Sequence, residues 1–270
     1  MAGARAVSTP RGRLGGRVVT GLLLIVLATA AVWAGGAVFG ALVALAVLLM
    51  FAEWAVMHEI ERRFRLAGMA VIAAAVMFAY LGVPDRALFV AAGGAVLLGV
   101  FARNFDRQRA GWIAAGILYC ALPGIALIVL RGLPGGFEIT LWTLAIVWAT
   151  DIFAFFAGRA IGGPKLAPAI SPNKTWAGLA GGMAGAALVS YVIAREAGIS
   201  LALFDYAWIA GLVFAVVAQG GDLFESWMKR AAGVKDSGAL LPGHGGVLDR
   251  LDGLVPVALL SGLGFAVALR

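Results

Sequence analysis

The sequence predicts an all-α, polytopic integral membrane protein of about nine transmembrane helices, with its N-terminus in the cytoplasm. Three observations predict it. Hydrophobic residues make up 62% of the 270 residues and charged residues only 13%, against roughly a quarter charged in soluble domains. Mean hydropathy is +0.97, so there is too little polar surface to cover a water-soluble globule. The apolar residues also fall into runs near the roughly 20 residues that a spanning helix needs.

The candidate spans lie at about 17–34, 36–52, 66–82, 86–102, 111–130, 137–158, 176–194, 206–224 and 253–269. The first follows Arg11, Arg13 and Arg17 and is read as an uncleaved anchor, because the next apolar run begins almost at once. With the N-terminus in the cytoplasm, 17 of the 21 Lys and Arg residues fall in cytoplasmic segments. Only Arg86, Arg131, Arg195 and Arg270 remain outside. That bias sets orientation and also accounts for the net charge of +7, so nucleic acid is not an expected partner. The whole chain, 1–270, reads as one membrane domain. Helices of 1–147 precede a 148–270 part that carries the two longest cytoplasmic connections, and a multi-pass location in the inner membrane is the expectation.

Gly178, Gly181, Gly182 and Gly185 give the seventh span overlapping small-xxx-small spacing, which lets helix backbones approach closely in lipid. Cys120 lies in an apolar run and reads as a small buried hydrophobe. His58, beside Glu59 and Glu61, reads as a solvated interfacial residue.

The polar residues that could do chemistry cluster at about 159–175 and 225–252. Asp222, Ser226, Lys229 and Arg230 fall at i, i+4, i+7 and i+8 and share one helical face. An acid, a hydroxyl and two cations on one stripe can hold a metal and phosphate oxygens. Lys235 and Asp236 follow, then His244 wedged between glycines, then Gly245, Gly246, Asp249, Arg250 and Asp252. The glycines permit close backbone approach, and N–H groups exposed in such a turn can cradle phosphate. Positive-inside anchoring alone would account for Lys229, Arg230 and Lys235. It does not account for Asp222 at a membrane edge or Asp151 inside the sixth span, since ionisable residues at such depth are costly. For Asp151 a salt bridge with Arg159 is the structural alternative. In the other connection, Ser171 or Thr175 can cap the seventh helix, and Lys174 beside that terminus favours an anion.

The stretch Ser226–Trp–Met–Lys229–Arg230, then Lys235–Asp236–Ser–Gly238, then Leu241–Pro242–Gly–His244–Gly245–Gly246–Val247–Leu–Asp249–Arg250–Leu–Asp252 resembles the signature of phosphatidate cytidylyltransferases. The preceding Gln219–Gly–Gly–Asp222–Leu–Phe–Glu225 and the Ser171–Pro–Asn–Lys174–Thr175–Trp176 run fit the same family. The resemblance is strongest over about 148–252. Ala177 and Phe155 depart from the family's frequent Glu and Tyr, so no role rests on them.

The resemblance implies a membrane enzyme that uses Mg²⁺, takes CTP from water and phosphatidic acid from the lipid bilayer as substrates, and makes CDP-diacylglycerol and pyrophosphate. Asp222, Lys229 and Asp249 are its expected catalytic residues. Asp222 and Asp249 are the expected metal ligands, with Asp151, Asp236 and Asp252 as further candidates. Ser171, Lys174, Thr175, Ser226, Arg230, Lys235, His244, Gly245, Gly246 and Arg250 are its expected substrate contacts, and a homodimer is left open. Two other readings stand beside it: a CTP-dependent kinase of a polyprenol-type alcohol, and a transporter of anionic lipid.

Overall fold

The structure, a computed structural model, describes residues 10–197, 206–238, 240 and 245–268. Its helices are α1 (Pro10–Ala34), α2 (Gly36–Met57), α3 (Arg62–Tyr80), α4 (Pro84–Ala102), α5 (Arg107–Gly132) and α6 (Gly136–Ile161). A hairpin of β1 (Lys165–Ala167) and β2 (Ser171–Thr175) follows, then α7 (Trp176–Glu196), α8 (Ala207–Ala231), the short α9 (Leu248–Leu251) and α10 (Leu254–Ala268). Among the described residues, α2 to α8 are long and apolar enough to cross a membrane, while Val19–Ala34 and Leu254–Ala266 are shorter apolar stretches. Each of the nine expected spans coincides with one of these helices. Large side chains such as Phe89 and Leu97 are 79% and 71% exposed, which is stable where the surrounding solvent is lipid.

Two buried clusters hold the bundle. One runs through α2, α3, α4 and α5 and takes in Met228, Leu248, Val255 and Ala258 from the C-terminal part, so the core is continuous across residue 147. The other joins α5, α6, α8 and α10 around Trp142, Ile146, Phe214 and Val257. The glycines of α7 do what their spacing predicts. A Cβ on Gly181 would stand 2.2 Å from the Cβ of Ala157, and one on Gly182 would stand 2.9 Å from the Thr150 carbonyl, so α7 lies directly on α6. Gly221 brings α8 against the start of α10, where a Cβ would meet the Asp252 carbonyl at 2.5 Å.

The hairpin is the departure from an all-helical chain. Gly162 and Gly163 adopt positive φ and Pro164 follows, which stops α6. The strands then pair antiparallel, Lys165 with Thr175 and Ala167 with Ser171. His58 also differs from expectation. It is buried, stacked on Trp112 with ring centroids 4.0 Å apart, and burial lowers its pKa to about 4. The aromatic residues Trp54 and Trp112 close over it and shield it from solvent. Cys120 is fully buried, as expected.

Candidate functional site

The ends of α2, α6 and α8 and the starts of α3, α5 and α7 gather on one face of the bundle. Arg109 at the start of α5 pairs with Glu59 from the α2–α3 connection. Lys174 from the hairpin reaches α8, donating to Gln219 Oε1 at 2.9 Å and pairing with Asp222. The α2–α3 connection therefore meets the start of α5, and the hairpin meets α8.

At the hairpin, Thr175 caps α7: its buried Oγ1 accepts from the Gly178 N–H at 3.0 Å. Capping of this kind is worth about 1 kcal/mol. Ser171, the other candidate cap, opens β2 instead, opposite Ala167. Lys174 is 17% exposed and Asp222 is 31% exposed, so the pair forms a half-covered ion pair at the helix start. Ser226 lies one turn beyond Asp222, and its hydroxyl donates to Asp222 Oδ1 at 3.4 Å. The shared face read from the spacing is present.

Lys229 sits in a tighter setting. Its Nζ lies 2.6 Å from Glu225 Oε2 and 2.6 Å from Asp249 Oδ1. The three side chains are 13%, 0% and 5% exposed respectively. Lys229 is thus the cation between two buried acids, tying α8 to α9. Asp249 also accepts from the Gly246 N–H at 2.7 Å and from the Ser237 N–H at 3.1 Å. Partial burial works to raise the Asp249 carboxyl. Its neighbours override it, first the adjoining Glu225 carboxyl, then Lys229 and the Gly246 N–H, and hold it at about 2.

The glycine turn owes its composition to this carboxylate. Gly245 has φ +80, and a Cβ there would lie 2.4 Å from Asp249 Oδ2. The turn was expected to cradle phosphate with its N–H groups. In the structure the Gly246 N–H serves Asp249, and the next two serve another carboxylate, that of Glu53. The physical logic of an anion in a backbone nest holds, with a protein carboxylate as the anion.

Asp252 completes the acidic group. Burial pushes its carboxyl well up, and the charges of Asp222, Glu225 and Asp151 push it further. Asp151, exposed on α6, stands within electrostatic reach of Asp222, Lys174 and Arg250. It forms no salt bridge with Arg159, so that alternative is set aside. Crowded carboxylates of this kind repel unless a proton or cation separates them, and an all-oxygen donor set suits a hard divalent cation. Among the described residues, no group of three or more His, Cys, Asp or Glu converges as a self-sufficient metal cage.

The structure therefore brings together Asp151, Lys174, Asp222, Ser226, Lys229, Asp249 and Asp252, with Arg250 nearby. Arg230, Lys235 and Asp236 are exposed and have no ion pair with a described residue. His244 lies outside the described residues. Glu225 and Glu53 are additions. Glu225 belongs to the family-like 219–225 stretch without an expected role, and Glu53 lies outside both polar clusters of the sequence. Glu53 lies one residue past the expected span and inside α2, and an acid so placed, with no Lys or Arg three or four residues away, was the signal available.

The model of the cytidylyltransferase family matches residues 15–266. A phosphatidate cytidylyltransferase of Brucella abortus biovar 1 (strain 9-941) is 42% identical over 257 residues, 90% of each chain. One from Pseudomonas aeruginosa PAO1 is 33% identical over 264 residues, 92% of this chain and 97% of its own. Another, from Rickettsia bellii (strain RML369-C), is 36% identical over 170 residues, 60% of this chain and 74% of its own. With the match running almost end to end and across every element that builds the acidic site, the chain belongs to the cytidylyltransferase family.

Proposed function

We propose that this chain transfers the cytidylyl group of CTP to phosphatidic acid, giving CDP-diacylglycerol and pyrophosphate. The observation that carries this reading is the convergence of Lys174, Asp222, Glu225, Lys229, Asp249 and Asp252 into one site of interleaved lysines and carboxylates, at the end of membrane-spanning helices. The curated relatives named above are phosphatidate cytidylyltransferases.

In the reaction an oxygen of the lipid phosphate forms a bond to the α-phosphorus of CTP. The bond from that phosphorus to the bridging oxygen breaks, and pyrophosphate leaves with the electron pair. The attacking phosphate is already ionised near neutral pH, so no residue is assigned as a general base. Both partners are anionic, and charge neutralisation is the main requirement. A Mg²⁺ ion, when bound, would supply it at the phosphates, held by Asp222 with Asp249 or Asp252 and, at longer reach, Asp151.

The chain's own residues do the rest. Lys174 and Lys229 fix the carboxylates of Asp222 and Asp249. Arg230 is an exposed cation one residue beyond Lys229, suited to a phosphate oxygen, and Arg250 lies one residue beyond Asp249. The site faces the cytoplasm in this reading, on the side favoured by the distribution of Lys and Arg. CTP then enters from water, and the lipid headgroup from the adjoining leaflet of the inner membrane.

The test is product analysis with the purified chain in detergent, given phosphatidic acid, CTP and Mg²⁺. The reading expects CDP-diacylglycerol and pyrophosphate in equal amounts. A phosphorylated polyprenol-type alcohol with CDP would replace it with the kinase reading. CTP left intact, together with lipid transport in vesicles, would replace it with the transporter reading.

A further inference from the structure

The geometry points to Glu53 as a positioning residue that sets Asp249, acting from the N-terminal half of the chain. This rests on the proposed function, since it concerns the same site. Glu53 lies in the last turn and a half of α2. Its Oε1 accepts from the Val247 N–H at 2.9 Å, and its Oε2 accepts from the Leu248 N–H at 2.8 Å. The Ser237 hydroxyl donates to Oε2 at 3.0 Å. These partners are 184 to 195 residues away in sequence.

The same short stretch is held from its other side by Asp249, which accepts from the Ser237 N–H and the Gly246 N–H. Ser237 therefore joins the two carboxylates, with its hydroxyl on Glu53 and its backbone on Asp249. Glu53 serves the first N–H groups of the turn that opens α9, the helix bearing Asp249. Those groups would otherwise lack acceptors.

Two glycines record how closely Glu53 approaches. A Cβ on Gly246 would lie 2.3 Å from Glu53 Oε2, and one on Gly238 would lie 2.7 Å from Oε1. Glu53 has no ion pair with a described residue. An acid in a membrane-spanning helix without a cation is costly, yet here neutral donors satisfy three of its lone-pair positions. A carboxylate fits that task because both oxygens accept. An amide offers one acceptor and turns its N–H₂ toward other donors. Asp249 in turn meets Lys229, so a shift of the turn would move the site's acid while leaving the substrate's other contacts in place.

The experiment uses the purified full-length chain with CTP, phosphatidic acid and Mg²⁺. Glu53→Gln should lower kcat by about tenfold or more, the size typical for loss of a residue that orients a site ligand. KM for phosphatidic acid should stay within about twofold. Hydrogen–deuterium exchange should rise in peptides covering 245–251. Ser237→Ala, which keeps the backbone bond to Asp249, should lower kcat by roughly threefold, since it removes one donor of three. The double variant should be no slower than Glu53→Gln alone, because the hydroxyl acts through Glu53.

Wild-type kcat in Glu53→Gln, unchanged exchange at 245–251, or additive losses in the double variant would each overturn the inference. If Glu53→Gln does not fold, Ser237→Ala decides, and wild-type kcat there overturns it. Absence of turnover in the unaltered chain would instead count against the proposed function, and the exchange measurement would still judge Glu53.

Discussion

Replacing Lys229 by methionine keeps most of the side chain's length and removes its ammonium. The structure places that ammonium 2.6 Å from both Glu225 and Asp249, whose side chains are 0% and 5% exposed. Removing one partner of a buried ion pair costs about 3–5 kcal/mol, because the remaining charge is left without compensation. Two acids left side by side can share a proton, which places the loss near the lower end, about 3 kcal/mol. For a chain of this size that is a fall of roughly 6–12 °C in the midpoint of thermal unfolding.

The loss should depend on pH. In the unaltered chain the Asp249 carboxyl is held at about 2, below its ordinary value of 3.8. A carboxyl held low contributes its stability above the unfolded value and loses it as pH falls through the folded value. The Asp249 contribution is thus complete at neutral pH and fades only between about pH 4 and pH 2. In Lys229→Met the carboxyl is released upward, so mild acid supplies the proton that replaces the ammonium. The deficit should therefore be larger at about pH 8 than at about pH 5.5. Unfolding in detergent, followed by intrinsic fluorescence at both pH values, measures it. Equal midpoints in variant and unaltered chain would refute the reasoning, as would a deficit of the same size at both pH values.

Three further outcomes are expected. With Cys120 changed to Ala, an impermeant thiol reagent on intact cells should label a cysteine at exposed Asp85 and spare one at exposed Lys235; the reverse pattern would invert the topology. Gly246→Ala should reduce turnover at least tenfold, since its Cβ would stand 2.2 Å from Ser237 Oγ and 2.3 Å from Glu53 Oε2; near-normal turnover would mean that the turn shifts without consequence. Asp222→Asn should nearly abolish turnover and raise the Mg²⁺ concentration needed for what remains; an unchanged rate and Mg²⁺ dependence would remove Asp222 from the metal site.

The spans were legible because lipid imposes a length on every apolar run, and the helix ends follow from it. The 219–252 segment was legible because acids and cations are rare in such a chain and stand out by number alone. What the polar residues bind to was less legible. Lys229 reads as a phosphate ligand by charge, whereas its neighbours are two acids, one of them twenty residues on. The glycines at 245 and 246 signal close approach correctly, and only the fold shows that carboxylates make the approach. Glu53 escaped notice because its partners are mostly backbone N–H groups, which leave no trace in residue type. The hairpin escaped because Ser171–Pro172–Asn173–Lys174–Thr175 has neither alternation nor β-branched character before its last residue.

The central claim, cytidylyl transfer to the lipid phosphate, is tested most directly by the fate of label from CTP. The purified chain is given phosphatidic acid, Mg²⁺ and CTP labelled at either the α- or the γ-phosphorus, and lipid and aqueous phases are counted separately. The account predicts α-label in the lipid and γ-label in free pyrophosphate. Label from the γ-phosphorus in the lipid phase, with α-label left in soluble CDP, would contradict it.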